Sequence, residues 1–224
     1  MFEILNYPEV IHIIFLTLRM TLLSTTISAI LGIPLGLLLE RVNFLGKDIV
    51  VAINRTLMAT PPVVAGLVVF MLLRSAGPLG NLGLIFTFEA MVIAQVVLIT
   101  PIICGIVYTA TARHGERIRS FGKTMGANPL QQEWLLVKEL GNEIFFSIVT
   151  GFGRAMSEVG AIMIVGGNIR FHTRTMTTSI TMMQRMGEFE QAILFGILLM
   201  IIAFAIQMMG SLLRKRGQKP YENY

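Results

Sequence analysis

Five apolar stretches of membrane-crossing length fill a chain of only 224 residues. They run over about Ile11–Leu39, Ile49–Leu73, Phe88–Ala110, Ile144–Val165 and Ala192–Leu213. A hydrocarbon core of about 30 Å takes about 20 apolar helical residues per crossing. The five stretches therefore leave no length for a separate soluble domain. The first is long enough to begin with a tilted or interfacial turn, and a sixth short element before Arg19 also fits. The expected fold class is an all-α integral membrane protein with about five transmembrane helices, six being possible.

Composition agrees. The chain is 54% hydrophobic and 14% charged, with mean hydropathy +0.72, far from a soluble average. Its one cysteine, Cys104, sits in an apolar run, which excludes disulfides and cysteine metal sites. His12, His114 and His172 lie in different segments without ligand spacing, so no metal site is expected. No G-x-x-x-x-G-K-[ST] phosphate loop occurs, so any ATP-driven work needs an ATPase on another chain. The N-terminal segment carries Glu3 and Glu9 and no Lys or Arg before Arg19. It lacks a basic n-region, so the first apolar run reads as a retained span.

The net charge of +5 has its origin in basic loops on one side of a membrane. With the C-terminus in the cytoplasm, eleven basic residues fall inside: Arg41, Lys47, Arg113, Arg117, Arg119, Lys123, Lys138, Arg214, Lys215, Arg216 and Lys219. Four fall outside: Arg74, Arg170, Arg174 and Arg185. Arg19, Arg55 and Arg154 lie within spans. The expected orientation is N-out, C-in, which puts the 111–143 loop in the cytoplasm.

That loop is patterned for a partner. Glu116 to Met125 reads as a short helix with basic residues on it. Gly126-Ala127-Asn128-Pro129 is a break, since Gly and Asn tolerate a left-handed turn and Pro suits a first helical turn. Leu130 to Leu140 then reads as a second helix, with Trp134, Leu135 and Leu136 for apolar contact. Such a pair transmits motion from a soluble subunit; the competing reading is an amphipathic loop resting on headgroups.

Polar groups inside the spans are the other candidates. Arg154 and Glu158 are four apart, so on one helix they share a face. A lone charge at mid-membrane costs at least ~2.5–3.5 kcal/mol on insertion scales, and pairing lowers that. The pair reads either as a pathway contact or as a packing lock. Pro61 and Pro62 remove two amide donors, and with Thr60 they form a candidate gate; a plain packing kink is the alternative. Gly32 and Gly36, and the small residues Gly151, Gly153, Ser157 and Gly160, favour close helix packing. In the outside connection, Arg170, Arg174 and Arg185 are candidates for docking an acidic partner or concentrating an anion, against simple snorkelling to headgroups.

Several of these segments resemble one family. The 111–143 loop resembles the cytoplasmic E-A-A-x-x-x-G loop of ABC importer permeases, with Gly126 at the motif Gly and Leu136 at its later Ile. Ser120-Phe121-Gly122 stand where Glu-Ala-Ala is usual, and Lys138-Glu139 where Leu-Pro is usual. Pro61-Pro62-Val63-Val64-Ala65-Gly66 looks like the Pro-Pro-Val-Val-x-Gly stretch of molybdate permeases. Residues 153–161 with Gly166-Gly167-Asn168-Ile169 look like the A-R-x-x-G-E-F-G-A…N-I region of that group. Ser157-Glu158-Val159-Gly160 with Gly-Gly-Asn is most similar to tungstate permeases. The resemblance runs from about Thr17 to Arg214.

It implies one permease domain over 1–224, of the type I ABC importer fold, in a prokaryotic cytoplasmic (inner) membrane. Ser120, Gly122, Gly126, Ala127, Pro129 and Leu136 are then the ATPase-coupling residues. The implied partners are a second copy, two ATPase subunits and a periplasmic or lipid-anchored oxyanion-binding protein. The chain needs no cofactor of its own, ATP and magnesium belonging to the ATPase. Tungstate is the expected cargo, with molybdate or sulfate as alternatives. A divalent anion argues for Arg154–Glu158 as packing, because an open Glu158 would repel it. A membrane enzyme is disfavoured because no His, Asp or Cys cluster lies in the spans. A secondary carrier or channel would not need the 111–143 helix pair.

Overall fold

A computed structural model describes residues 7–217. Glu3 and Lys219, used in the charge argument, lie outside them. Among the described residues the regular structure is helical: nine α-helices and one 3-10 turn at Gly80–Leu82. The chain packs as two compact units divided after Thr175.

The larger unit is built on two long helices, α1 (Tyr7–Arg41) and α4 (Phe88–Thr124). They run parallel in one register: Ser24 meets Gln95, Gly32 meets Ile103 and Gly36 meets Val107, each 71 positions on. Close approach requires the glycines. A Cβ at Gly36 would lie 2.7 Å from the Cys104 carbonyl oxygen. These glycines are packing elements, as their spacing suggests.

Between them lie α2 (Lys47–Met58) and α3 (Pro62–Leu73), and after α4 come α5 (Pro129–Glu139), α6 (Gly141–Met156) and α7 (Gly160–Gly166). Met20, Ala65, Val69, Met91, Leu98, Ala161 and Val165 make the main buried cluster, drawn from α1, α3, α4 and α7. The second unit consists of α8 (Met176–Arg185) and α9 (Phe189–Gly217). Over Phe189–Leu212, α9 is apolar and largely unburied, as a lipid-facing or subunit-facing helix should be.

Among the described residues three helices are long and apolar enough to cross a membrane, or up to five spans if each bent pair counts as one. The second and fourth expected spans are the bent ones. α2 and α3 turn by 103°, α6 and α7 by 58°. Helix α1 is continuous from Tyr7 to Arg41, so among the described residues no separate element precedes Arg19. The short helix expected at Glu116–Met125 is also corrected: it is the last part of α4. At 37 residues and about 1.5 Å each, α4 outruns a bilayer core. Its polar end continues the ladder because nothing in Thr111–Thr124 breaks it.

Candidate functional site

The first break follows from local chemistry. Thr60 precedes Pro61 and is pushed away from helical dihedrals. Pro61 is extended (φ −60°, ψ 132°) and Pro62 opens α3, where its missing N–H costs nothing. The Thr60 hydroxyl donates back to the Thr56 carbonyl at 3.3 Å.

The second break contains no proline. Helix α6 ends at Met156 and α7 starts at Gly160. Glu158 lies between them, 4% exposed, and its Oε1 accepts the Ala161 N–H at 3.0 Å. A carboxylate placed at first-turn amides is held by hydrogen bonding and by the helix dipole. The expected shared face for Arg154 and Glu158 is corrected here, since the helix stops between them. Arg154 sits in the last turn of α6, half-buried, where a cation suits the carbonyl end.

The structure brings the two breaks together. A Cβ on Gly160 would fall 2.8 Å from Val63 Cγ2, and one on Gly66 only 2.5 Å from the Ala161 Cα. Thr60, Pro61 and Pro62 thus belong to the same neighbourhood as Glu158, through the residues that follow each break. Gln95 of α4 joins from the side, its amide donating to the Ala155 carbonyl at 2.9 Å.

At the far end of α4, Gly126 adopts φ +80°, the left-handed value that favours glycine. The Ala127 N–H reaches the Gly122 carbonyl at 2.9 Å. Asn128 and Gln131 form a reciprocal capping box and Pro129 takes the first turn of α5. Gly122 is buried against Gln132 and Leu135, and Leu136 is fully buried. Ser120 is exposed. Phe121, Met125, Leu130 and Trp134 are 62%, 74%, 82% and 67% exposed. That is an apolar display on a hairpin rather than a core.

The hairpin is braced by charges that sequence reasoning did not assign. Arg119 donates to Glu133 at 2.8 Å and to Glu40 of α1 at 2.7 Å, and Arg41 approaches Glu133 at 3.6 Å. Arg119 and Glu133 stand equally far on either side of Gly126, which is the signal that was available. At the other end of α1, buried Glu9 accepts from Arg170 at 2.6 Å and Arg174 at 3.0 Å. Two of the three expected docking arginines are therefore held inside the chain, though Arg170 stays half-exposed. Arg185 is exposed on α8. Among the described residues, no group of three or more His, Cys, Asp or Glu is placed to hold a metal. The arrangement provides two helix breaks, ionic braces and an exposed apolar surface.

Comparison with known proteins gives this geometry its setting. Residues 32–217 match the family described as binding-protein-dependent transport system inner membrane component. The chain is 45% identical to the tungstate uptake system permease protein TupB of Peptoclostridium acidaminophilum over 89% of its length and 87% of the relative's. It is 34% identical to a probable anion ABC transporter permease protein of Haloferax volcanii, over 95% of this chain and 94% of that one. Against the tungstate uptake system permease protein TupB of Campylobacter jejuni, identity is 32% over 88% of this chain and 84% of the other. More distant relatives bear the names of sulfate and molybdenum transport system permeases. The chain belongs to the inner membrane components of binding-protein-dependent transport systems, as a permease subunit of an ABC importer.

Proposed function

We propose that this permease carries tungstate into the cell, driven by ATP hydrolysis on a separate pair of ATPase subunits. The observation that carries the cargo assignment is the 45% identity to a tungstate uptake permease along nearly the whole chain. Two copies of the chain form the pathway, and an oxyanion-binding protein delivers the anion to the outer face. The Lys and Arg distribution supports N-out, C-in, so the Gly126 hairpin faces the cytoplasm. There Phe121, Met125, Leu130 and Trp134 offer the ATPase an apolar seat, and the Glu40–Arg119–Glu133 network couples that seat to α1. The paired breaks are the natural place for alternating access, since a bend needs no new surface to flex. Tungstate and molybdate have nearly the same size and charge, so selection between them lies mostly with the binding protein.

The test is uptake by the assembled importer in proteoliposomes with its ATPase and binding protein. ATP-dependent tungstate accumulation is expected, with molybdate competing and sulfate competing less. Equal uptake without ATP or ATPase would make the chain a carrier instead.

A further inference from the structure

Gln95 lies within the apolar part of α4 and is fully buried. An amide there is costly unless both its ends are bonded. Both are: Nε2 donates to the Ala155 carbonyl at 2.9 Å, and Oε1 accepts from the Ser24 hydroxyl at 2.5 Å. Ala155 is in the last turn of α6, whose carbonyls lose helical donors where the helix stops. The Glu158 N–H approaches the same carbonyl at 3.3 Å, and the Ser157 N–H is also directed at it. One side chain of α4 therefore joins α1 to the carbonyl that the second break exposes.

A second brace lies farther along the same helices. Arg119 of α4 binds Glu40 of α1 and Glu133 of α5, and only Leu140 separates α5 from α6. The four helices α1, α4, α5 and α6 are cross-linked at two levels, one ionic and one an amide. Beyond the amide, residues 157–159 leave the helix and α7 departs at 58°.

We propose that Gln95 is a positioning residue of the transport cycle. It locks the end of α6 to the α1–α4 pair, so that a displacement arriving at α5 moves all four helices as one body. The movement is then taken up past the lock, at residues 157–160, where α7 packs on α3. This rests on the reading of the chain as an ATP-driven importer. Without the lock, α6 slides on α4 and the displacement is lost before it reaches the breaks.

The experiment compares the assembled importer, with ATPase and binding protein in proteoliposomes, as parent, Gln95→Met and Ser24→Ala. Gln95→Met keeps length and volume and removes both bonds. ATP hydrolysis should persist while tungstate moved per ATP falls by about fivefold or more, the low end of measured couplings between sites. Ser24→Ala removes one bond, and its ratio should fall less. Hydrogen exchange of peptides covering residues 157–162 should quicken in Gln95→Met. If anion per ATP stays at the parental ratio, even with both rates reduced together, Gln95 only packs the core and the lock is refuted. Unchanged exchange at 157–162 refutes it equally. Should Gln95→Met not assemble, the Ser24→Ala ratio decides: a drop supports the lock and no drop rejects it. A parent that takes up tungstate without ATP overturns the importer reading itself, which is a separate failure.

Discussion

The two breaks do the same work by opposite means. The α2–α3 break is made by proline, and its polar groups find partners within four residues: Ala59 and Thr60 N–H on Thr56 and Leu57, the Thr60 hydroxyl on Thr56. Pro61 itself is exposed. The α6–α7 break has no proline, and its Glu158 is buried. Its loose ends are met by a carboxylate three residues away and by an amide 60 residues away. The polar groups of the first break are met within the local backbone, whereas the second adds to its local bonds one from α4, made by Gln95. Proline forbids an ideal continuous helix at the first break before any tertiary contact forms, whereas the second break rests on side chains as well as on backbone.

The largest effect should come from separating the breaks. Gly66→Leu places a side chain where a Cβ already meets the Ala161 Cα at 2.5 Å. Backbone cannot yield as a rotamer can, so the cost should exceed the ~1–3 kcal/mol usual for overpacking. Near-complete loss of monodisperse protein after detergent extraction is expected. Parental yield would mean that α3 and α7 do not need this contact.

Next comes the side-chain-held break alone. Glu158→Ala strands the buried Ala161 N–H, which costs about 1–3 kcal/mol, whereas Glu158→Gln keeps an acceptor and should cost less. Thermal unfolding of the purified protein in lipid nanodiscs would rank them. The shared-face expectation for Arg154 and Glu158 makes a different forecast, that Arg154→Met rescues Glu158→Gln. With the helix broken between them, the double change should be no more stable than Glu158→Gln alone.

This contrast also marks what the sequence could disclose. Five apolar stretches, the proline break and the Gly126 turn were legible because each rests on neighbours in the chain. The second break was read as straight helix because no proline interrupts Gly153–Val165. Gln95 was not singled out from the sequence, and its partner Ala155 lies 60 positions on. The end of α4 was misplaced for a related reason. Arg113, Arg117 and Arg119 change the solvent that the helix sees, but only a dihedral change such as Gly126 stops it. Glu9 and Glu40 hid in the same way, as charges at the ends of α1 whose arginines come from distant segments.

Gly126 offers a third kind of break, set by dihedral alone. No atom lies within 4 Å of a Cβ added there, so Gly126→Val is strained by φ +80° and not by crowding. A left-handed residue costs ~1–2 kcal/mol, more with β-branching. Membrane insertion should be unchanged, while the α4–α5 hairpin shifts and co-purification with the ATPase falls several-fold. Parental recovery of ATPase with the variant would show that this turn is not the coupling element.

The smallest effect should come from the prolines themselves. Pro61 has dihedrals open to any residue, and Pro62 stands at the first turn of α3, so Pro61→Ala with Pro62→Ala loses only chain stiffness, worth about 0.4–1 kcal/mol per site. The informative question is whether the bend survives. If proline alone makes it, two alanines let α2 and α3 join, and labels at Ile53→Cys and Met71→Cys, both exposed, would sit ~27 Å apart by helical rise. If packing holds α3 against α7, the 103° bend persists and the labels stay well short of that distance. The Gly66–Ala161 contact leaves α3 no room to swing, so the short distance is expected in a spin-label measurement on the Cys104→Ser background. A distance that lengthens to the straight-helix value would return the first break to its prolines and make the two hinges wholly different devices.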